Sequence, residues 1–126
     1  MITRGFAQLL AEASAVIESV SPQEAQELHR QGEVVFVDVR ETHERAQGFI
    51  PGSIHASRGF LEMIADPASP AHQPAFSSGQ TLVLYCAAGG RSALAAKTLK
   101  DMGHGKVVNM TGGFQGWVQT AGPVES

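Results

Sequence analysis

The chain has 126 residues, enough for one domain with a sizeable apolar core and too few for a second. Nine Lys and Arg against 12 Asp and Glu give a formal charge of -3, which excludes a global positive field for nucleic acid or an acidic membrane surface. A single cysteine excludes an internal disulfide framework or a zinc site of several thiolates, and no apolar run or basic-then-apolar N-terminus points to a membrane or secretion, so a cytoplasmic protein is expected. Phe6, Leu9, Leu10 and Ala13 recur at helical spacing and predict a first helix over Arg4 to Ala15, followed by a short strand at Val16 to Ser19. Ser21-Pro22-Gln23-Glu24 reads as an N-cap with proline in the first helical position, and Ala25, Leu28 and His29 carry that helix to Gly32. Val34 to Val39 is a continuous, β-branched run and predicts a buried strand.

Glu41 to Gly48 suits a short exposed helix, and Ile50-Pro51-Gly52-Ser53 a turn into a brief strand at Ile54 to Ala56. A helix is expected at Gly59 to Ala65. Asp66 to Gln80, with three prolines, three serines and no periodicity, reads as a surface loop. Thr81 to Tyr85 is the clearest strand in the chain. Arg91 to Met102 places Leu94, Ala95, Thr98, Leu99 and Met102 on one helical face, ended by Gly103. Lys106 to Met110 is a last strand and Phe114 to Thr120 a last helix. This alternation predicts an α/β fold, a parallel sheet with helices on both faces. Residues 1–20 supply a helix and a strand packed on the domain formed by 21–126.

The chemistry concentrates where the Thr81 to Tyr85 strand runs into Cys86-Ala87-Ala88-Gly89-Gly90-Arg91-Ser92 and then a helix. Ligand sites of parallel sheets gather at this edge. Small residues at Ala87, Ala88, Gly89 and Gly90 let the backbone curl with its N–H groups inward, and the following helix adds its positive end. An ordinary thiol, with a pKa of about 8.5, is only ~3% ionised at neutral pH, and lowering the pKa by roughly two units makes thiolate the major form. The same N–H groups, from Ala87 to Ser92, would steady a persulfide anion.

Arg91 is a cation at a helix N-terminus, opposed to the dipole, so it is expected to meet an anion and, as a catalytic residue beside Cys86, to orient an anionic donor. Arg58 follows the Ile54 to Ala56 strand and could draw an anionic donor to the mouth. Asp38, Arg40 and Glu44 read as an ion-paired network that stiffens the neighbouring loop. His29, His43, His55, His72 and His104 lack metal-ligand spacing, and no metal is expected. Phe114 and Trp117 read as core anchors beside Gly112-Gly113, a pair too isolated to bind a nucleotide.

From about Ser21 to Val124 the chain resembles the rhodanese homology family, through Asp38-Val39-Arg40 with Glu44, Gly48-Phe49-Ile50-Pro51-Gly52-Ser53, the Cys86 to Arg91 loop, Gly112-Gly113-Phe114 with Trp117, and Gly122-Pro123-Val124. Phe49 departs from the histidine usual there. The resemblance implies an α/β/α sandwich with a five-stranded parallel sheet of order 3-2-4-5-1 and a catalytic cysteine at Cys86. It further implies a thiosulfate sulfurtransferase type of enzyme without a cofactor. Sulfane sulfur would pass from thiosulfate or a persulfide to cyanide, a thiol or a protein acceptor. Two alternatives stand beside it. One is a non-catalytic protein-binding module. The other is a phosphatase or arsenate reductase of the same fold, disfavoured by the four residues between Cys86 and Arg91 where those relatives have five.

Overall fold

A computed structural model describes all residues, 1–126. The elements are α1 (Phe6–Val16), β1 (Glu18–Val20), α2 (Pro22–Gln31), β2 (Val34–Asp38), α3 (Thr42–Arg45), β3 (Ile54–His55), α4 (Leu61–Ala65), β4 (Thr81–Tyr85), α5 (Gly90–Asp101), β5 (Val107–Met110) and α6 (Gly113–Gln119). Short 3-10 turns cover Arg58–Phe60 and Pro74–Ser77. The five strands are all parallel in the order β1-β5-β4-β2-β3, the order that the resemblance implied.

β4 is central and pairs with β2 from Val34 opposite Thr81 to Asp38 opposite Tyr85. Alternation along it divides the core. Leu82, Leu84 and Cys86 face Val37, Val39, Ala95, Ala96 and Leu99, whereas Val83 and Tyr85 face Phe36, Met110 and Trp117. α1, α4 and α5 cover the first face, and α2 and α6 the second. Cys86 therefore leaves the strand pointing towards the start of α5.

The start of α2 carries both halves of a capping box: the Glu24 N–H donates to Ser21 Oγ at 3.0 Å and the Ser21 N–H to Glu24 Oε1 at 2.8 Å. Trp117 is fully buried, edge-on to Phe36 and His29, and its Nε1 donates to the Pro123 carbonyl at 2.7 Å. Phe49, the departure from the family pattern, lies 4.2 Å beneath the Arg45 guanidinium and pairs antiparallel with Glu125.

Three expectations differ in detail. The first strand lies at Glu18–Val20 because only there does the backbone pair with β5. Only Thr42–Arg45 of the segment from 41 to 48 is helical, and its end is not exposed: Gly48 is buried and its carbonyl accepts from Arg40. Met102 lies past the last full turn of α5 and is exposed, while Ser92 and Ala93 are buried on that helix. Within the long loop, Phe76 turns inward, 4% exposed, and joins the α5 side of the core.

Candidate active site

Cys86 is the first residue beyond β4 and is 1% exposed. Gly89 adopts the left-handed region at φ +112°, which turns its N–H back onto Cys86 Sγ at 3.1 Å. The Ser92 N–H reaches the same sulfur at 3.4 Å and the Ser92 hydroxyl at 3.3 Å. Burial pushes the Cys86 thiol up, but the Ser92 hydroxyl and the N–H groups of Ser92, Gly89 and Ala88 outweigh it, so its pKa lies below that of an ordinary thiol. This is the electronic condition for a nucleophilic sulfur.

N–H groups converge on the sulfur only if the loop carbonyls point elsewhere, and α6 holds them there. The Phe114 N–H donates to the Cys86 carbonyl at 2.7 Å and the Gln115 N–H to the Ala87 carbonyl at 3.0 Å. These donors at the start of α6 have no intrahelical partner, so the loop serves as their cap. From β5, Asn109 Nδ2 lies 3.4 Å from the Gly89 carbonyl. Gly113 makes this approach possible: a Cβ on it would lie 2.6 Å from the Ala87 and Cys86 carbonyl atoms. The pair Gly112-Gly113, set aside in the sequence as lacking nucleotide chemistry, thus brackets the candidate nucleophile.

Ala87 and Gly90 are half-buried and Ala88 is exposed, so the loop tip reaches the surface. Arg91 is engaged. It meets Glu44 of α3 through two hydrogen bonds, of 2.7 and 2.9 Å. Those bonds hold the Glu44 carboxyl down to about 2 and push the Arg91 guanidinium up. Arg58 donates to Glu62 and, at 3.1 Å, to Thr98 Oγ1. Thr98 lies eight residues into α5, about 12 Å along its axis, so Arg58 is not brought to the loop.

Asp38 is fully buried at the hub of a polar cluster below the loop. It accepts from the Arg40 N–H, Nε and guanidinium at 2.9 to 3.0 Å, and from Arg45 and the Tyr85 hydroxyl at 3.2 Å each. Arg40 also stacks 4.4 Å from the Phe114 ring. Tyr85, Arg45 and Ser53 belong to this cluster through 3.0 and 3.1 Å contacts, and sequence reasoning missed all three. Arg45 carried no signal in a charged stretch, and Tyr85 read as one more strand residue.

Beside Ala87 opens a cleft of about 290 Å³ lined by Arg40, Glu44, Gln47, Gly48, Ala87, Phe114 and Gln115. It is wide enough for a small molecule to approach the loop. Phe114 is thus a half-buried cleft wall as well as a core anchor.

The loop geometry makes one quantitative prediction. Replacing Ser92 with alanine removes one hydrogen bond to the thiolate, worth ~1.5 kcal/mol for a charged acceptor. The iodoacetamide reaction rate of Cys86 at pH 7 is then expected to fall about tenfold, with its pH profile displaced upward. An unchanged profile would mean that the Ser92 hydroxyl does not stabilise the thiolate.

A family model for the rhodanese-like domain matches residues 21–120. A solved structure from Rhodopseudomonas palustris, described as a protein of unknown function and possible tyrosine phosphatase, is 45% identical. It superposes with a TM-score of 0.95 over 99% of this chain and 97% of its own. The thiosulfate sulfurtransferase GlpE of Ectopseudomonas mendocina is 36% identical over 104 residues, 80% of this chain and 84% of that protein. The human single-domain sulfurtransferase TSTD1 is 28% identical, with a TM-score of 0.68 over 86% of this chain and 97% of its own. A parallel sheet of this order, a cysteine loop at its carboxyl edge and a family match across most of the sequence lead to one assignment: the chain belongs to the rhodanese-like domain family.

Proposed function

We propose that the protein is a sulfurtransferase that carries sulfane sulfur on Cys86. The observation that carries this reading is the convergence of the Gly89 and Ser92 N–H groups and the Ser92 hydroxyl on Sγ. In the first step the Cys86 thiolate attacks the outer sulfur of a donor, thiosulfate or a persulfide. The donor's S–S bond breaks, and sulfite or a thiolate leaves with the electron pair. In the second step a thiol or cyanide attacks the outer sulfur of the Cys86 persulfide, and the thiolate returns. Backbone amides from Ala87 to Ser92 steady the charge in both states, and no cofactor takes part. Arg91 acts as a positioning residue, since its bridge to Glu44 ties α3 to the start of α5. Asp38 and Arg40 hold the strand ends on which the loop rests.

A second reading is phosphatase activity, which the description of the Rhodopseudomonas palustris relative raises. Four residues between Cys86 and Arg91 give a narrow ring for a tetrahedral oxyanion. A leaving alkoxide also needs a proton, and Glu44, held down to about 2 by Arg91, has none to give at neutral pH. Turnover separates the two. Thiocyanate production from cyanide and a sulfane donor is expected with the natural protein and absent from Cys86→Ser, with no release of nitrophenol from an aryl phosphate. Cys86-dependent aryl phosphate hydrolysis without thiocyanate would reverse the assignment.

A further inference from the structure

The charges around the loop are closed pairs. All six arginines of the chain are ion-paired: Arg4 with Glu12, Arg30 with Glu27, Arg40 and Arg45 with Asp38, Arg58 with Glu62, and Arg91 with Glu44. Arg91 is the cation whose charge acts on Cys86, and Glu44 meets both of its terminal nitrogens while Glu41 adds a second carboxylate field. The cleft beside the loop adds no free charge. Arg40 is committed to Asp38, Gln47 and Gln115 are neutral amides, and Phe114 presents a ring. A dianion approaching Cys86 therefore finds backbone donors and a helix end but no unpaired arginine.

Size points the same way. The cleft of about 290 Å³ equals the volume of about ten liquid waters, whereas thiosulfate has only five heavy atoms. Resting on the sulfurtransferase reading, we propose that the site takes its sulfur from a low-molecular-weight alkyl persulfide in preference to thiosulfate, with the organic body in the cleft between Phe114 and Gln47 and the Glu44–Arg91 pair excluding the dianion. The step balances. Cys86 thiolate attacks the outer sulfur of R–S–SH, the S–S bond breaks, R–S⁻ leaves with the electron pair, and the hydrogen stays on the sulfur now bound to Cys86.

The test follows uptake of one sulfur atom by intact mass over time, from thiosulfate and from freshly prepared cysteine persulfide, at low and high salt. For the natural protein the persulfide is expected to load about tenfold faster, and the thiosulfate rate to stay flat as salt is lowered. Glu44→Gln keeps an oxygen for the Glu41 N–H and uncovers Arg91. It is expected to raise the thiosulfate-to-persulfide rate ratio about tenfold at low salt, a gain that shrinks near 1 M salt, where the Debye length is about 3 Å. Thiosulfate loading as fast as persulfide, a steep rise of the natural protein's thiosulfate rate at low salt, or an unchanged ratio in Glu44→Gln would each overturn the proposal. Failure of both donors to load the natural protein would instead defeat the sulfurtransferase reading and the preference with it.

Discussion

Replacing Asp38 with alanine is expected to cost the fold about 3–5 kcal/mol, the loss typical when one partner of a buried ion pair is removed. Asp38 is fully buried and its two carboxylate oxygens receive three bonds from Arg40, one from Arg45 and one from the Tyr85 hydroxyl. Arg40 is only 5% exposed, so the substitution leaves a largely buried cation without its carboxylate beneath the sheet edge. Domains of this size are stable by only about 5–15 kcal/mol, so the loss is a large share of the total. Urea denaturation measures it. Asp38→Asn, which keeps one acceptor, is expected to fall between the natural protein and the alanine variant. A loss below about 1 kcal/mol in Asp38→Ala would show that the cluster is dispensable.

Gly113→Ala is expected to disable sulfur uptake more than any other substitution outside the cysteine loop. Gly113 has φ +57°, and a Cβ there would lie 2.6 Å from the Ala87 and Cys86 carbonyl atoms, all of them backbone. No side chain can rotate away to relieve that contact, so the loop or α6 must move by roughly 0.8 Å to reach ordinary van der Waals distance. Either movement stretches the bonds from the Phe114 and Gln115 N–H groups that hold the Cys86 and Ala87 carbonyls off the sulfur. A displacement of that size lowers rates on the order of a hundredfold. Left-handed backbone at a non-glycine residue adds ~1–2 kcal/mol of instability. The rate of persulfide formation and the urea midpoint, measured on the same sample, separate the two effects. Natural loading rates in Gly113→Ala would mean that α6 does not set the loop.

The fold was legible where burial imposed a pattern. β2 and β4 are buried on both faces, so their sequences are continuous β-branched and aliphatic runs. The capping box of α2 is written in Ser21 and Glu24. β1 was read two residues early because it is an edge strand whose Glu18 and Ser19 are exposed, leaving no alternation to read. The apolar spacing of α1 correctly gave a helix but not its packing. Only Ala13 is fully buried, Phe6 remains 61% exposed, and the Phe6 ring touches the start of α5 near Gly90. Phe76 was invisible, being one aromatic in a proline-rich stretch.

The site was legible at its centre and not at its supports. The strand, the lone cysteine, the small residues and the helix are consecutive, so Cys86, Gly89 and Ser92 could be read together. Glu44 and Arg91 are 47 residues apart, and no local pattern joins them. The same holds for Gly113 over Ala87, for Asn109 at the Gly89 carbonyl, and for Arg45 with Ser53 and Tyr85 around Asp38. Arg58 shows the opposite case. Its chain position puts it at the right sheet edge, and its side chain takes the nearer partners, Glu62 and Thr98.

Whether Cys86 carries sulfur is decided by intact-mass analysis of the natural protein and Cys86→Ser. Each is exposed to thiosulfate and to cysteine persulfide, weighed, and weighed again after cyanide. One added sulfur atom is expected on the natural protein, removed by cyanide as thiocyanate appears, and none on the serine variant. A natural protein that stays unmodified with both donors, or a serine variant that gains the same sulfur, would contradict it.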